Sequence, residues 1–186
     1  MAQIAIILIP IVGISILLPQ IKRRAEKTKA QVLVCAIFVV YICGNLYFTV
    51  LSRNPGIERL VDLKPFGVYT RLFEQPLKGG PPPTTFIEAF LGSTLPIVGL
   101  ILNILLYYPL GYLLPILFPK LKPKHVIFIG CLCSIATEAT QYFLKMGWCE
   151  TDDVIHNTLG TAIGVWIWHL QSKRLNKQNS NELPKE

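Results

Sequence analysis

Glu138, Asp152 and Asp153 are the residues whose chemistry stands out, because each falls in, or at the edge of, a run otherwise made of apolar side chains. An ionisable group inside an apolar segment that crosses a membrane costs at least about 2.5–3.5 kcal/mol, so it usually faces a partner or a wet cavity. Glu138 lies in the nearly uncharged run from Cys131 to Leu144, and Gln141, three residues on, shares its helix face. Asp152 and Asp153 open the next apolar run, where a helix N-terminus leaves donors unpaired and favours negative charge. Simple capping is the plain reading of Asp152. Asp153 is followed at helical spacing by Asn157, Gly160 and Gly164, so that acid, amide and bare backbone form one stripe. Gly160 to Gly164 is also a GxxxG spacing, which lets a second helix approach closely. Arg53, at the end of an earlier apolar run, is the natural counter-charge.

Two carboxyl groups whose surroundings separate their proton affinities are the usual acid/base arrangement, and carboxylates suit Mg²⁺ or Mn²⁺ better than zinc. No nucleophile–base pair, phosphate loop or HExxH accompanies them, and the five Cys form neither a CxxC pair nor a Cys/His set of zinc spacing. No metal site or cofactor is therefore assigned, and a divalent cation on the carboxylates is the one compatible guest. The residues predict a polar pocket formed by Arg53, Asn103, Glu138, Gln141, Asp152, Asp153 and Asn157, with Gly160 and Gly164 packing the helix that carries it. A structural hydrogen-bond knot joining helices is the competing reading.

The elements that must position these groups follow from composition. Of 186 residues, 52% are hydrophobic and only 16% charged, where a soluble domain carries roughly a quarter. Disorder, a collagen-like fibre and an ordinary soluble enzyme are excluded. Apolar stretches run from about Ala2 to Ile21, Ala30 to Leu51, Ser93 to Phe118, Val126 to Leu144 and Asp152 to Leu170. Each approaches the roughly 20 residues a helix needs to cross a bilayer, which predicts an all-α, polytopic transmembrane bundle of about five spans. No Lys or Arg precedes the first stretch, so it reads as a retained helix, not a secretory signal.

The chain divides into a first span with its basic loop (1–29), a membrane domain (30–170) and a polar tail (171–186). Most of the 18 Lys and Arg fall between Lys22 and Lys29, at Lys120, Lys122 and Lys124, and from Lys173 onward. Arg53, Arg59, Lys64, Arg71, Lys78 and Lys145 lie on the other side. Lys and Arg are retained on the cytoplasmic face in short loops, which predicts N-terminus out and C-terminus in. The net charge of +7 then reads as topology and not as a nucleic-acid partner.

The outer segment from Ser52 to Gly92 is too rich in breakers for one regular element, and part of it is expected to lie on the membrane or on the bundle top. Asn103 should bond across to another span from a helix kinked at Pro109. Cys35, Cys43, Cys131 and Cys133 read as buried filler, with Cys149 meeting water. His156, His169, Met146, Trp148, Trp166 and Trp168 read as interfacial. The short turn from Lys145 to Thr151 predicts that the fifth span packs on the fourth. Alternatively, the glycine stripe faces a second copy in a homo-oligomer.

Four blocks follow in order along the chain: Leu51-Ser52-Arg53 followed by Leu63-Lys64-Pro65-Phe66; Asn103 to Gly111; Ser134 to Gln141, with Glu138 and Gln141 as fixed points; and Asp152 to Gly160 with Gly164. Together they resemble the VanZ-like membrane proteins, a family named for a teicoplanin-resistance protein. The resemblance implies a bacterial cytoplasmic-membrane location, an outward polar pocket at those positions and a role in resistance to teicoplanin-type glycopeptides. Tyr107 stands where Phe is usual, Glu150 where Asp usually precedes the final Asp pair, and Trp148 where a basic residue is often found. The implied partners are membrane lipids and a lipid-linked cell-wall precursor or the lipoglycopeptide itself. An intramembrane enzyme acting on a lipid-linked envelope component through Glu138 or Asp153 is the alternative. A carrier is disfavoured, because few spans and no repeat are visible.

Overall fold

A computed structural model describes residues 27–67, 69 and 86–182, and the predicted first span lies outside them. Helix α1 (Lys27–Leu46) widens at its end into a single π turn, Tyr47–Leu51. After a short strand, β1 (Leu60–Asp62), come the long helix α2 (Phe86–Leu117) and helix α3 (Pro123–Leu144). Strand β2 (Trp148–Glu150) then leads directly into α4 (Thr151–Glu182). The fold is mostly helical, with one feature the sequence did not signal, a parallel two-strand ladder that pairs Leu60 with Trp148, Val61 with Cys149 and Asp62 with Glu150. Three residues per strand are too few to show an alternating pattern in sequence.

Three described helical stretches are long and apolar enough to cross a membrane: Lys29–Leu51, Ile97–Leu117 and Pro123–Leu144. The stretch in α4 is not among them, because Asp152, Asp153, His156 and Asn157 crowd its first turns. Helix α4 also continues unbroken past residue 170 to Glu182, and Tyr112 Oη donates to Gln171 Oε1 there. Pro109 lies inside α2 without ending it.

Helices α2 and α4 run parallel with their backbones in contact. A Cβ on Gly111 would overlap the Thr161 carbonyl, one on Gly160 the Ile104 carbonyl and one on Gly164 the Tyr108 carbonyl. The glycine stripe therefore faces the third predicted span and not the fourth, and it is covered within the chain instead of presented to a second copy. Helix α3 packs on α4 through Gly130, whose α-carbon faces the Thr161 side chain. The apolar core lies where α1 crosses α2: Tyr41 packs with Leu106, Tyr107 and Leu110, and Val34 with Tyr108, Tyr112 and Leu113.

Helix α3 starts with Pro123 in its first turn, where the missing N–H costs nothing. It ends at Lys145, whose left-handed backbone (φ 59°) lets the Met146 N–H reach back to the Gln141 carbonyl at 2.8 Å. Cys35, Cys43 and Cys133 face outward from their helices, which corrects their reading as buried filler. An apolar surrounding makes an outward thiol no less acceptable than a buried one.

Replacing Gly111 or Gly160 by Leu should separate α2 from α4 and lower stability by roughly 3 kcal/mol or more, since backbone atoms cannot yield to a side chain. Gly99→Ala, at an α2 position with nothing within 4 Å, should instead raise stability by up to about 1 kcal/mol. Thermal unfolding in detergent distinguishes the two responses.

Candidate functional site

The polar residues gather at the end of the bundle where α1 and α3 finish and α4 begins. On α3, Ser134, Glu138 and Gln141 recur at spacings of four and three, so they form one buried stripe facing the start of α4. Each finds a partner on a different element. Ser134 Oγ accepts from Asn157 Nδ2 at 2.9 Å. Glu138 Oε2 accepts the Glu150 backbone N–H at 2.9 Å, which ties the helix to strand β2. Gln141 Nε2 donates to the Thr49 carbonyl at 2.9 Å, an acceptor exposed by the π turn that ends α1.

Asp153, half-buried, accepts from Asn103 Nδ2 at 2.6 Å, the crossing from the third span that the sequence anticipated. The close α2–α4 backbones make that reach short. Arg53 is exposed and donates from Nη1 to the Met146 carbonyl at 3.3 Å. Its charge nevertheless acts on both Glu138 and Asp153, and Glu150 acts on both as well. Gly147, with φ 110°, passes directly beneath the guanidinium, where a Cβ would collide with Nη1. The turn after α3 thus needs glycine twice over: for its backbone angle and for the arginine above it.

Asp152 does something the sequence did not show. Its carboxylate accepts the backbone N–H of Phe66, so it holds the loop after β1 against the bundle. One turn further along α4, His156 Nε2 lies 3.1 Å from Tyr69 Oη and is buried, which corrects its interfacial reading. Gly56 N–H to the Lys145 carbonyl and Lys145 Nζ to the Ile57 carbonyl complete the attachment. The contacts of Phe66, Tyr69 and Met146 leave no local sequence signal, because they use backbone atoms or partners far apart in the chain. Ser134 has a usable signal in its helical register with Glu138 and Gln141, whereas Thr49 lends a backbone carbonyl from another helix, which no spacing reveals.

Two buried side-chain atoms have no hydrogen-bond partner among the described residues, Gln141 Oε1 and Asn157 Oδ1. Both are acceptors. Together with the Glu138 and Asp153 carboxyls they leave the cluster rich in acceptors and short of donors. No three His, Cys, Asp or Glu side chains among the described residues converge closely enough to hold a metal ion. An open cavity of about 390 Å³ lies not in the cluster but on the other flank of α3, toward α1 and α2.

Apolar, membrane-length helices around a gathered set of ionisable and amide side chains define a helical membrane protein with a polar cluster at one end. The chain belongs to the VanZ/LLP1 family, whose model matches residues 31–172. No curated protein and no solved structure matches it.

Cys149, on β2 beside the cluster, reports on its charge. Burial pushes its thiol up, and the Glu138 and Asp153 carboxylates push it further, because both disfavour a second negative charge. With the other four cysteines replaced by Ala, maleimide labelling at Cys149 should accelerate only at more alkaline pH than a free thiol requires. Glu138→Gln should shift that profile to lower pH. An unchanged pH–rate profile would separate the two side chains.

Proposed function

We propose that this protein acts in the response to teicoplanin-type glycopeptides from a bacterial cytoplasmic membrane. In this reading it crosses the membrane about five times, counting the stretch from Ala2 to Ile21 and the start of α4, with its N-terminus outside and its C-terminus inside. The cluster of Arg53, Asn103, Glu138, Gln141, Asp152, Asp153 and Asn157 then opens to the exterior. There it engages a lipid-linked cell-wall precursor or the lipoglycopeptide that attacks it.

The observation that carries this reading is the donor deficit: two orphan amide oxygens beside two carboxyl groups at one end of the bundle. Sugars, peptide N–H groups and ammonium groups are the donors such a site accepts, and cell-wall precursors and glycopeptides carry them in number. Family membership supports the same direction. Polarity is supported by the Lys120–Lys124 cluster and the basic end of α4 lying at the opposite end of the bundle from Asp153.

Expression of the wild-type chain in a susceptible Gram-positive host should raise the inhibitory concentration of teicoplanin several-fold and that of vancomycin less. Asp153→Asn and Glu138→Gln, at equal membrane abundance, should return teicoplanin susceptibility to the vector level. No change for either drug on wild-type expression would overturn the reading.

A further inference from the structure

The chain after β1 does not stand clear of the bundle; it descends beside it. Helices α3 and α4 run antiparallel in a fixed register, with Gly130 against Thr161 and, four residues along each, Ser134 Oγ bonded to Asn157 Nδ2. One turn further, that register sets Asp153 level with Glu138 and Asp152 level with Ala139. Ala139 lies five residues before the α3 end at Leu144, roughly 7–8 Å at 1.5 Å per residue. Asp152 binds the Phe66 backbone N–H, so the loop is held at that depth. Tyr69 reaches deeper, with its Oη 3.1 Å from His156 Nε2.

Helix α3 has 22 residues, roughly 33 Å against the ~30 Å of a bilayer's hydrocarbon core. Its ends therefore fall close to the two edges of that core. Phe143 and Leu144, in its last turn, are exposed apolar residues that meet lipid there. The Phe66 backbone, 7–8 Å inward, falls among the upper acyl segments of the same leaflet.

The side chains of the loop suit that depth. Leu63 is 69% exposed and Phe66 55%. Phe66 also takes a left-handed backbone, φ 62°, a conformation costly for a bulky residue and free for glycine. Within the chain its ring meets Tyr69, 6.0 Å away between centroids, and the rest of it faces out. Lys64 between them is exposed, and its four-carbon stem carries the ammonium back toward the headgroups. Apolar side chains turned outward below the edge of the core meet hydrocarbon and not water.

We propose that the loop from Leu63 to Phe66 is seated in the membrane, with the Leu63 and Phe66 side chains inserted in the upper acyl region of the leaflet at the cluster end. The seat requires only that α3 crosses a bilayer, and it stands apart from any role of the Glu138–Asp153 cluster in drug response. The full chain, with its five cysteines replaced by Ala, takes one of four changes: Leu63→Cys, Phe66→Cys, Phe143→Cys or Lys177→Cys. Each is labelled with the fluorophore NBD and reconstituted in phosphatidylcholine vesicles. Phe143 is the lipid reference; Lys177, exposed on α4 roughly 39 Å from Thr151, is the water reference.

Phosphatidylcholine with a nitroxide on carbon 5 of one acyl chain should quench the dye at positions 63 and 66 several-fold more than at 177, and about as well as at 143. Aqueous iodide should show the reverse order. A second measurement leaves the loop unaltered: in the unmodified chain, phosphatidylcholine with a diazirine high in one acyl chain should label Leu63 and Phe66 several-fold more than Lys177. Iodide quenching at 63 and 66 equal to that at 177, with no diazirine adducts on the loop, would overturn the proposal. So would protection from iodide and from nitroxide lipid together, the pattern of a second copy covering the loop.

Discussion

Direct contact between the backbones of α2 and α4 is the constraint on which the rest of the bundle depends. Between apolar helices in an apolar solvent the hydrophobic effect supplies little attraction, so close packing and hydrogen bonds must hold them. Gly111, Gly160 and Gly164 remove the side chains that would hold the two axes apart. Only at that separation does the short amide of Asn103 reach Asp153 at 2.6 Å. The contact thus provides packing area and also partners a carboxyl group that would be costly to leave alone.

Helix α3 is joined to this pair by a different device. Its seam with α4 is polar, with Ser134 on Asn157 and Glu138 on the backbone that leads into α4. Hydrogen bonds are directional, so they fix register as well as distance. The ladder between β1 and β2, the Asp152 bond to Phe66 and the Gly56–Lys145 bond then fasten the long outer segment over the same end. Gly147 completes the closure by leaving room for Arg53 above the turn.

Much of this was legible in the sequence, and the part that was not has a physical cause. Helical spacing placed Glu138 with Gln141 and Asp153 with Asn157, because a period near 3.6 fixes which residues share a face. It could not say which helix that face meets. The short connection after the fourth predicted span points the glycine stripe at that span, whereas the stripe lies on the third. The ladder was invisible because its strands are three residues each and more than eighty positions apart. His156 resembled an interfacial residue because its partner, Tyr69, sits in a segment whose local sequence predicts only irregular chain.

The two flanks of α3 impose opposite chemical demands. On the cavity side the hydroxyls of Tyr41, Tyr107, Thr137 and Thr140 are all paired, so the walls offer no unmet hydrogen bond. On the cluster side Gln141 Oε1 and Asn157 Oδ1 remain unpaired. A buried acceptor without a donor costs about 1–3 kcal/mol, so a guest that brings a donor relieves a penalty already present, and one that lacks it relieves nothing. The unmet hydrogen-bonding capacity on this side of the bundle therefore lies at Gln141 and Asn157 and not along the cavity. One helix can serve both demands because its polar stripe, Ser134, Glu138 and Gln141, and its cavity wall, Cys133, Ala136, Thr137 and Thr140, lie on different sides of the same turns.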